Sequence, residues 1–130
     1  MEIEMKIRGL MVDPSTNAPI VILKDVQGDT VLPIWVGLYE ANAIALEVEK
    51  ATTPRPMTHD LLANVITEMG GIVDRIEIND LVDHTFFAII HVKRNGSIIK
   101  IDSRPSDAIA LGIASTVPIF VAEHVLTAVS

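Results

Sequence analysis

The chain has 130 residues, a formal net charge of −7 and no cysteine. This length fits one domain with a single core, and the lack of cysteine excludes disulfides, thiolate zinc sites and thiol nucleophiles. Lys and Arg total 10 against 17 Asp and Glu, which argues against broad, sequence-independent binding to nucleic acid. No apolar run approaches the roughly 20 residues that span a bilayer, although 49% of the chain is hydrophobic. We therefore expect a cytoplasmic protein, without a membrane partner, whose surplus apolar surface closes a homo-oligomer.

The first part of the chain predicts three strands. Short apolar segments, partly alternating with polar residues, lie at 5–12, 20–24 and 32–36. The glycine-containing turn at 27–29 favours a hairpin between the second and third segments. Trp35, in the third segment, is expected to pack in the core.

Two helices are predicted to follow these strands. The first begins after Gly37, the expected N-cap residue, and carries Glu40 in its first turn. After a proline-rich loop, the second covers 58–69, where apolar residues recur at helical spacing and the run ends at two glycines.

The second half repeats this order. The string Ala-Ile-Ala-Leu at 43–46 recurs at 108–111, and strands are predicted before it at 72–81, 85–93 and 98–101. A last helix is predicted at about 122–129. The sequence therefore predicts an α+β fold of one domain over 1–130, with a unit of three strands and two helices duplicated at roughly 1–70 and 71–130. The sheet is expected to be largely antiparallel, with the helices packed on it.

A dense group of polar residues separates the third strand and the first helix of the second half. Pro105 suits the first turn of that helix, where its missing N–H costs nothing. The polar residues could cap the helix, or they could hold a phosphate or a metal ion at its positive end. They are Asp102, Ser103, Arg104, Ser106 and Asp107.

The segment 53–60 is a partial echo of this turn. It also contains Arg-Pro followed by a hydroxyl residue and an aspartate, and it precedes an apolar helix. In the structural interpretation, Thr58 caps the helix and Asp60 interacts favourably with its dipole. In the functional interpretation, Arg55 binds phosphate oxygens and His59 carries a proton.

The two turns together contain the parts of metal-assisted phosphodiester hydrolysis. Three carboxylates could hold Mg²⁺ or Mn²⁺, namely Asp60, Asp102 and Asp107, with Glu40 as a secondary candidate. Phosphate oxygens could be bound by Arg55, Arg104, Ser103 and Ser106. The spacing of these residues is not a specific metal-binding motif, so the capping interpretation stays open at this point.

Motifs along nearly the whole chain resemble those of the bifunctional nuclease family, also called the domain-of-unknown-function 151 family. They lie at 32–37, 40–41, 55–61, 85–88 and 101–108, in that order. The resemblance implies a compact domain of duplicated strand and helix units, oligomeric assembly and nuclease activity on DNA and RNA. The positions that match the motifs and carry chemistry are Glu40, Arg55, His59, Asp60, Asp102, Ser103, Arg104, Ser106 and Asp107.

Two functional hypotheses follow. In the first, the chain is a metal-dependent nuclease in which His59, Asp60, Asp102 and Asp107 are catalytic and nucleic acid is the substrate. In the second, the chain is a non-catalytic oligomeric module, or a protein that binds a small anion or nucleotide, and the Arg, Asp and Ser residues form a structural polar network. An open cleft favours the first hypothesis, whereas fully buried and mutually paired Arg and Asp side chains favour the second.

Overall fold

A computed structural model describes residues 1–129 of the chain. Their secondary structure is β1 (Glu2–Val12), β2 (Pro19–Asp25), β3 (Val31–Trp35), α1 (Leu38–Val48), α2 (Thr58–Glu68), β4 (Ile72–Val82), β5 (Thr85–Arg94), β6 (Ser97–Ser103), α3 (Pro105–Ala114), β7 (Ile119–Ala122) and α4 (Glu123–Val129). Within this part of the chain, no helix has the length and apolar content needed to cross a membrane.

The strands form one seven-stranded sheet in the order β3-β2-β1-β7-β4-β5-β6. Neighbouring strands are antiparallel except β4 and β7, which are parallel. The predicted α+β fold, with a largely antiparallel sheet and helices packed on it, is confirmed. Each half contributes a three-stranded meander, and the division into repeats at about residue 70 stays a prediction.

Strand β7 was not expected from the sequence. It joins the two meanders, because it pairs with β1 on one side and with β4 on the other. The four residues Ile119–Ala122 are too short for an alternating pattern to identify a strand. Their conformation depends on partners more than 30 residues away in the chain.

The meander of the second half is closed by two tight turns. Asp83 and His84 have φ values of 50° and 65°, and Asn95 and Gly96 have 50° and 79°. A two-residue hairpin loop with both φ angles positive matches the right-handed twist of the flanking strands. The register therefore continues into both turns, from Val82 paired with Thr85 to Arg94 paired with Ser97.

The core lies between one face of the sheet and the helices. Helix α3 is buried over 108–112 and contacts β4, β5, α1 and α2. It lies so close to the sheet that a Cβ atom at Gly112 would be 2.7 Å from Cγ1 of Ile76. This contact holds α3 against the sheet, and α1 and α2 pack on α3 in turn.

Trp35 is not part of the core, contrary to expectation. It is 53% exposed, and its Nε1–H donates to Oδ2 of Asp13 at 3.2 Å. Asp13 also accepts hydrogen bonds from the amide and hydroxyl of Ser15, and these bonds, with that from Trp35, lower the pKa of Asp13 to about 2. Trp35 is the last residue of the edge strand β3. Its ring therefore bonds to the carboxylate of Asp13 in a loop and is not covered by a helix.

Candidate functional site

Three helices begin without a side-chain cap. The N-cap residues are Gly37 for α1, Met57 for α2 and Arg104 for α3. Gly37 is the N-cap residue of α1, as predicted. Thr58, in contrast, is the first helical residue of α2 and not its N-cap. Asp60 instead accepts a hydrogen bond from the N-cap amide of α2, and the other contacts of polar side chains at these helix starts form the candidate site.

The candidate site is a cleft of about 960 Å³ lined by residues of α1, α2, α3 and the sheet. Apolar side chains of α2 and of the edge strand β6, including Leu62 and Ile101, form part of its wall. The residues predicted from the sequence that line it are Glu40, His59, Asp102, Ser103, Arg104, Ser106 and Asp107. The starts of α1, α2 and α3, which are far apart in the chain, thus meet in one cleft.

Arg104 joins the starts of α3 and α1. Its Nε and Nη2 donate to Oδ2 and Oδ1 of Asp107 at 2.7 and 3.0 Å, and Nη2 lies 3.3 Å from Oε2 of Glu40. These bonds and the charges of both carboxylates raise the pKa of Arg104. The Arg104 side chain is 63% exposed, so the network lies at the surface of an open cleft.

Glu40 reaches Arg104 by folding back over the start of its own helix. Its Oε1 occupies the space that a Cβ atom would take at Gly37. Glycine at this N-cap therefore makes room for the carboxylate that pairs with Arg104. The hydroxyl of Ser103 donates to the carbonyl oxygen of Arg104 at 2.8 Å, and Ser106 is buried beside it at the start of α3.

A second group of polar side chains joins α1 to α2. His59 is 6% exposed, and its Nε2 lies 2.7 Å from Oε1 of Glu47 and 3.5 Å from Oδ1 of Asp60. The other carboxylate oxygen of Asp60 accepts a hydrogen bond from the backbone amide of Met57 at 2.9 Å. Two carboxylates therefore converge on a single imidazole nitrogen.

Glu47 was not among the residues predicted from the sequence. It lies seven residues after Glu40 on α1, and a spacing of two helical turns places both carboxylates on the same face. That spacing was the available signal. The pairing with His59 depends on how the loop between α1 and α2 returns, and the local sequence does not specify that path.

Glu47, His59 and Asp60 fit a divalent cation. One ligand atom from each lies within 4.8 Å of the others. Carboxylate oxygen suits Mg²⁺ and Mn²⁺, and imidazole nitrogen suits first-row transition metals. Nε2 can donate one proton at most, so it satisfies the two carboxylates incompletely, and a cation would balance both.

The remaining predicted ligands do not join this group. Both carboxylate oxygens of Asp107 accept hydrogen bonds from Arg104.

Asp102 is exposed on β6, and its neighbours Ile101 and Ser103 pair with buried Ile90 and Ala88. Because side chains alternate along a strand, Asp102 belongs to the opposite face, at the rim of the cleft. Arg55 is exposed in the loop before α2, outside the cleft lining.

Comparison with known proteins identifies the family. The model of the bifunctional nuclease domain matches residues 21–130. The chain belongs to this family. It is also 42% identical over 123 residues to a Mycobacterium tuberculosis protein named as uncharacterized, an alignment that spans 95% of this chain and 73% of that protein.

Plant members of the family are more distant and longer. Bifunctional nuclease 2 of Oryza sativa subsp. japonica is 27% identical over 116 residues, which is 86% of this chain and 36% of that protein. The bifunctional nuclease of Oryza minuta is 24% identical over 110 residues, or 82% of this chain and 33% of that protein. The match therefore covers about a third of each rice protein.

The contact between His59 and Glu47 predicts different stabilities for two histidine variants. We expect His59→Ala to lower the free energy of unfolding by about 1–3 kcal/mol, because it leaves the half-buried Glu47 carboxylate without its donor. His124→Ala is the matched control, since that side chain is 66% exposed, and it should cost less than about 0.5 kcal/mol. Urea unfolding followed by Trp35 fluorescence measures both values, and equal losses would show that the contact between His59 and Glu47 does not stabilise the fold.

Proposed function

We propose that the cleft hydrolyses phosphodiester bonds of DNA or RNA in a reaction that requires a divalent cation. The observation that carries the proposal is the convergence of Glu47, His59 and Asp60 beside an open cleft that also presents Arg104. Membership of the bifunctional nuclease domain family and the names of the rice relatives support it. Mg²⁺ and Mn²⁺ are the proposed cations.

The charge of the cleft explains why a cation would be needed. Its lining includes the carboxylates of Glu40 and Asp107, with the exposed Asp102 at its rim, against the guanidinium of Arg104. Such a wall repels a phosphodiester until a cation is bound, and acidic sites of this kind are negative until then. The electrostatics therefore favour metal-dependent over metal-independent cleavage.

We assign Glu47, Asp60 and Nε2 of His59 to the cation. When bound, such an ion polarises a phosphoryl oxygen and lowers the pKa of bound water. The sequence also suggested that His59 carries a proton, but Nε2 cannot hold a cation and a proton together. We favour the ligand role for this atom, because both carboxylates face it.

Arg104 is the group proposed to contact the phosphate. Asp107 holds two of its nitrogens, so the plane of the guanidinium is fixed beside the start of α3. Asp107 then acts as a positioning residue, and its two oxygens are not free for a cation. Ser106 lies in the same turn, where the orphan amides of the helix start favour negative charge.

The alternative of a purely structural polar network is less well supported. Such a network would be buried and mutually paired, since exposed ion pairs contribute little to stability. Arg104 and Asp107 are instead largely exposed at an open cleft. We therefore retain the nuclease hypothesis.

The proposed function predicts cutting that depends on both the cation and Glu47. A purified sample should cleave labelled DNA or RNA oligonucleotides with Mg²⁺ or Mn²⁺, and EDTA should abolish the cleavage. Glu47→Gln keeps the size of the side chain but removes the charge of a proposed ligand. We expect a loss of at least about 10- to 100-fold, the loss that follows when a residue that only supports a metal ligand is changed. His124→Ala should retain the full rate. Cleavage that persists in EDTA and is unchanged in Glu47→Gln would identify a contaminating nuclease.

We also propose that a second copy of the chain covers the outer face of α2. This face has no role in the core, yet it is apolar over two turns and continues beyond the helix. Its exposed residues are Leu61, Val65, Met69 and Ile72. Exposed apolar patches of more than a few hundred Å² mark interaction surfaces. Glu68 lies at the edge of this stripe, and the apolar side chains beside it allow two identical copies to approach.

A charge in the centre of this stripe should separate the copies. Val65 is 49% exposed, so Val65→Lys should weaken a dimer strongly without disturbing the core. Thr67→Lys adds the same charge on the opposite side of α2 and is the matched control. Sedimentation equilibrium should give a dimer for the unmodified chain and for Thr67→Lys, and a monomer for Val65→Lys. A dimer in all three would place the interface elsewhere.

A further inference from the structure

We propose that a second cavity, separated from the cleft by the first turn of α3, binds the base of a nucleotide whose phosphate lies at Arg104. The inference rests on the proposed function in one respect, because both place a phosphate group at Arg104. It adds the substrate class, namely a nucleotide recognised through its base as well as its phosphate.

The two cavities share a wall. Arg104 and Ser106 line both the cleft and the second cavity, whose volume is about 320 Å³. This volume lies at the lower end of the range for ligand pockets, roughly 300–1,000 Å³. A ligand that contacts Arg104 in the cleft can therefore extend past this side chain into the second cavity.

The second cavity differs in chemistry from the cleft. Its lining includes the apolar residues Ile34, Val36 and Phe86, and no carboxylate among the residues that the structure describes there. His84 and Thr85 add hydrogen-bonding groups. A nucleobase has apolar faces and a polar edge, so it matches this combination, whereas a further phosphate does not.

The walls of this cavity are fixed by the sheet. One wall is the end of β3 and the other is the start of β5, although four strands separate β3 from β5 in the sheet. The sheet therefore curls around the start of α3. His84 is held in the two-residue turn before β5 with φ of 65°, so its imidazole belongs to a turn of defined geometry.

The chain contains its own reporter for this cavity. Trp35 is the only tryptophan in the sequence and lines the second cavity. A ligand that enters this cavity should change its fluorescence. Binding can thus be measured without any cleavage, which separates this test from the proposed nuclease activity.

The experiment is a titration of Trp35 fluorescence with AMP, ribose 5-phosphate and inorganic phosphate in the presence of Mg²⁺. AMP contains no phosphodiester bond to hydrolyse. We expect AMP to bind about tenfold more tightly than ribose 5-phosphate, as stacking of one base allows. Arg104→Ala should weaken the binding of both AMP and ribose 5-phosphate.

Two variants test the base contact directly. Phe86→Ala and His84→Ala should each reduce the affinity for AMP toward that of ribose 5-phosphate, and the exposed His84 keeps the test valid if Phe86→Ala fails to fold. His124→Ala should bind AMP as the unmodified chain does. Equal binding of AMP and ribose 5-phosphate, no binding of either, or an AMP affinity unaffected by both variants would overturn the inference. A preference for AMP without nuclease activity would support the base site and reject the nuclease, and cutting without that preference would do the reverse.

Discussion

The close contact between α3 and the sheet at Gly112 is the constraint on which the other features depend. No side chain separates the helix from Ile76 at this point. Helices α1 and α2 both pack on α3. The position of α3 therefore fixes where all three helices begin, and the cleft exists because those starts surround it. The same position places the first turn of α3 between the cleft and the second cavity.

Charge is distributed unevenly around this turn. Carboxylates outnumber cationic groups on the cleft side, while the second cavity is lined mainly by apolar groups and neutral donors. Arg104 stands at the boundary and is held by Asp107 and Glu40. This arrangement suits a ligand with a charged group and an uncharged ring, once a cation has balanced the acidic side. The buried contact between His59 and Glu47 provides the place for that cation.

The sequence predicted the features that depend on local patterns. The three-stranded meanders, the start of α1 at Gly37 and the polar turn before α3 follow from alternation, helical spacing and proline position. Features that depend on distant contacts were missed. Strand β7 needs β1 and β4 as partners, Glu47 becomes important only because α2 returns against α1, and Trp35 is exposed because β3 is an edge strand. The role predicted for Asp107 was also incomplete, because its spacing of three residues from Arg104 favours an ion pair between them that the interpretation as a metal ligand left out.

The most direct test is a crystal structure of the protein soaked with Mn²⁺ and a short single-stranded oligonucleotide. Anomalous scattering locates the manganese independently of the chain. The account predicts manganese bound by Glu47, His59 and Asp60, with a phosphate of the oligonucleotide at Arg104. Manganese bound at other residues, together with an oligonucleotide outside the cleft, would contradict it.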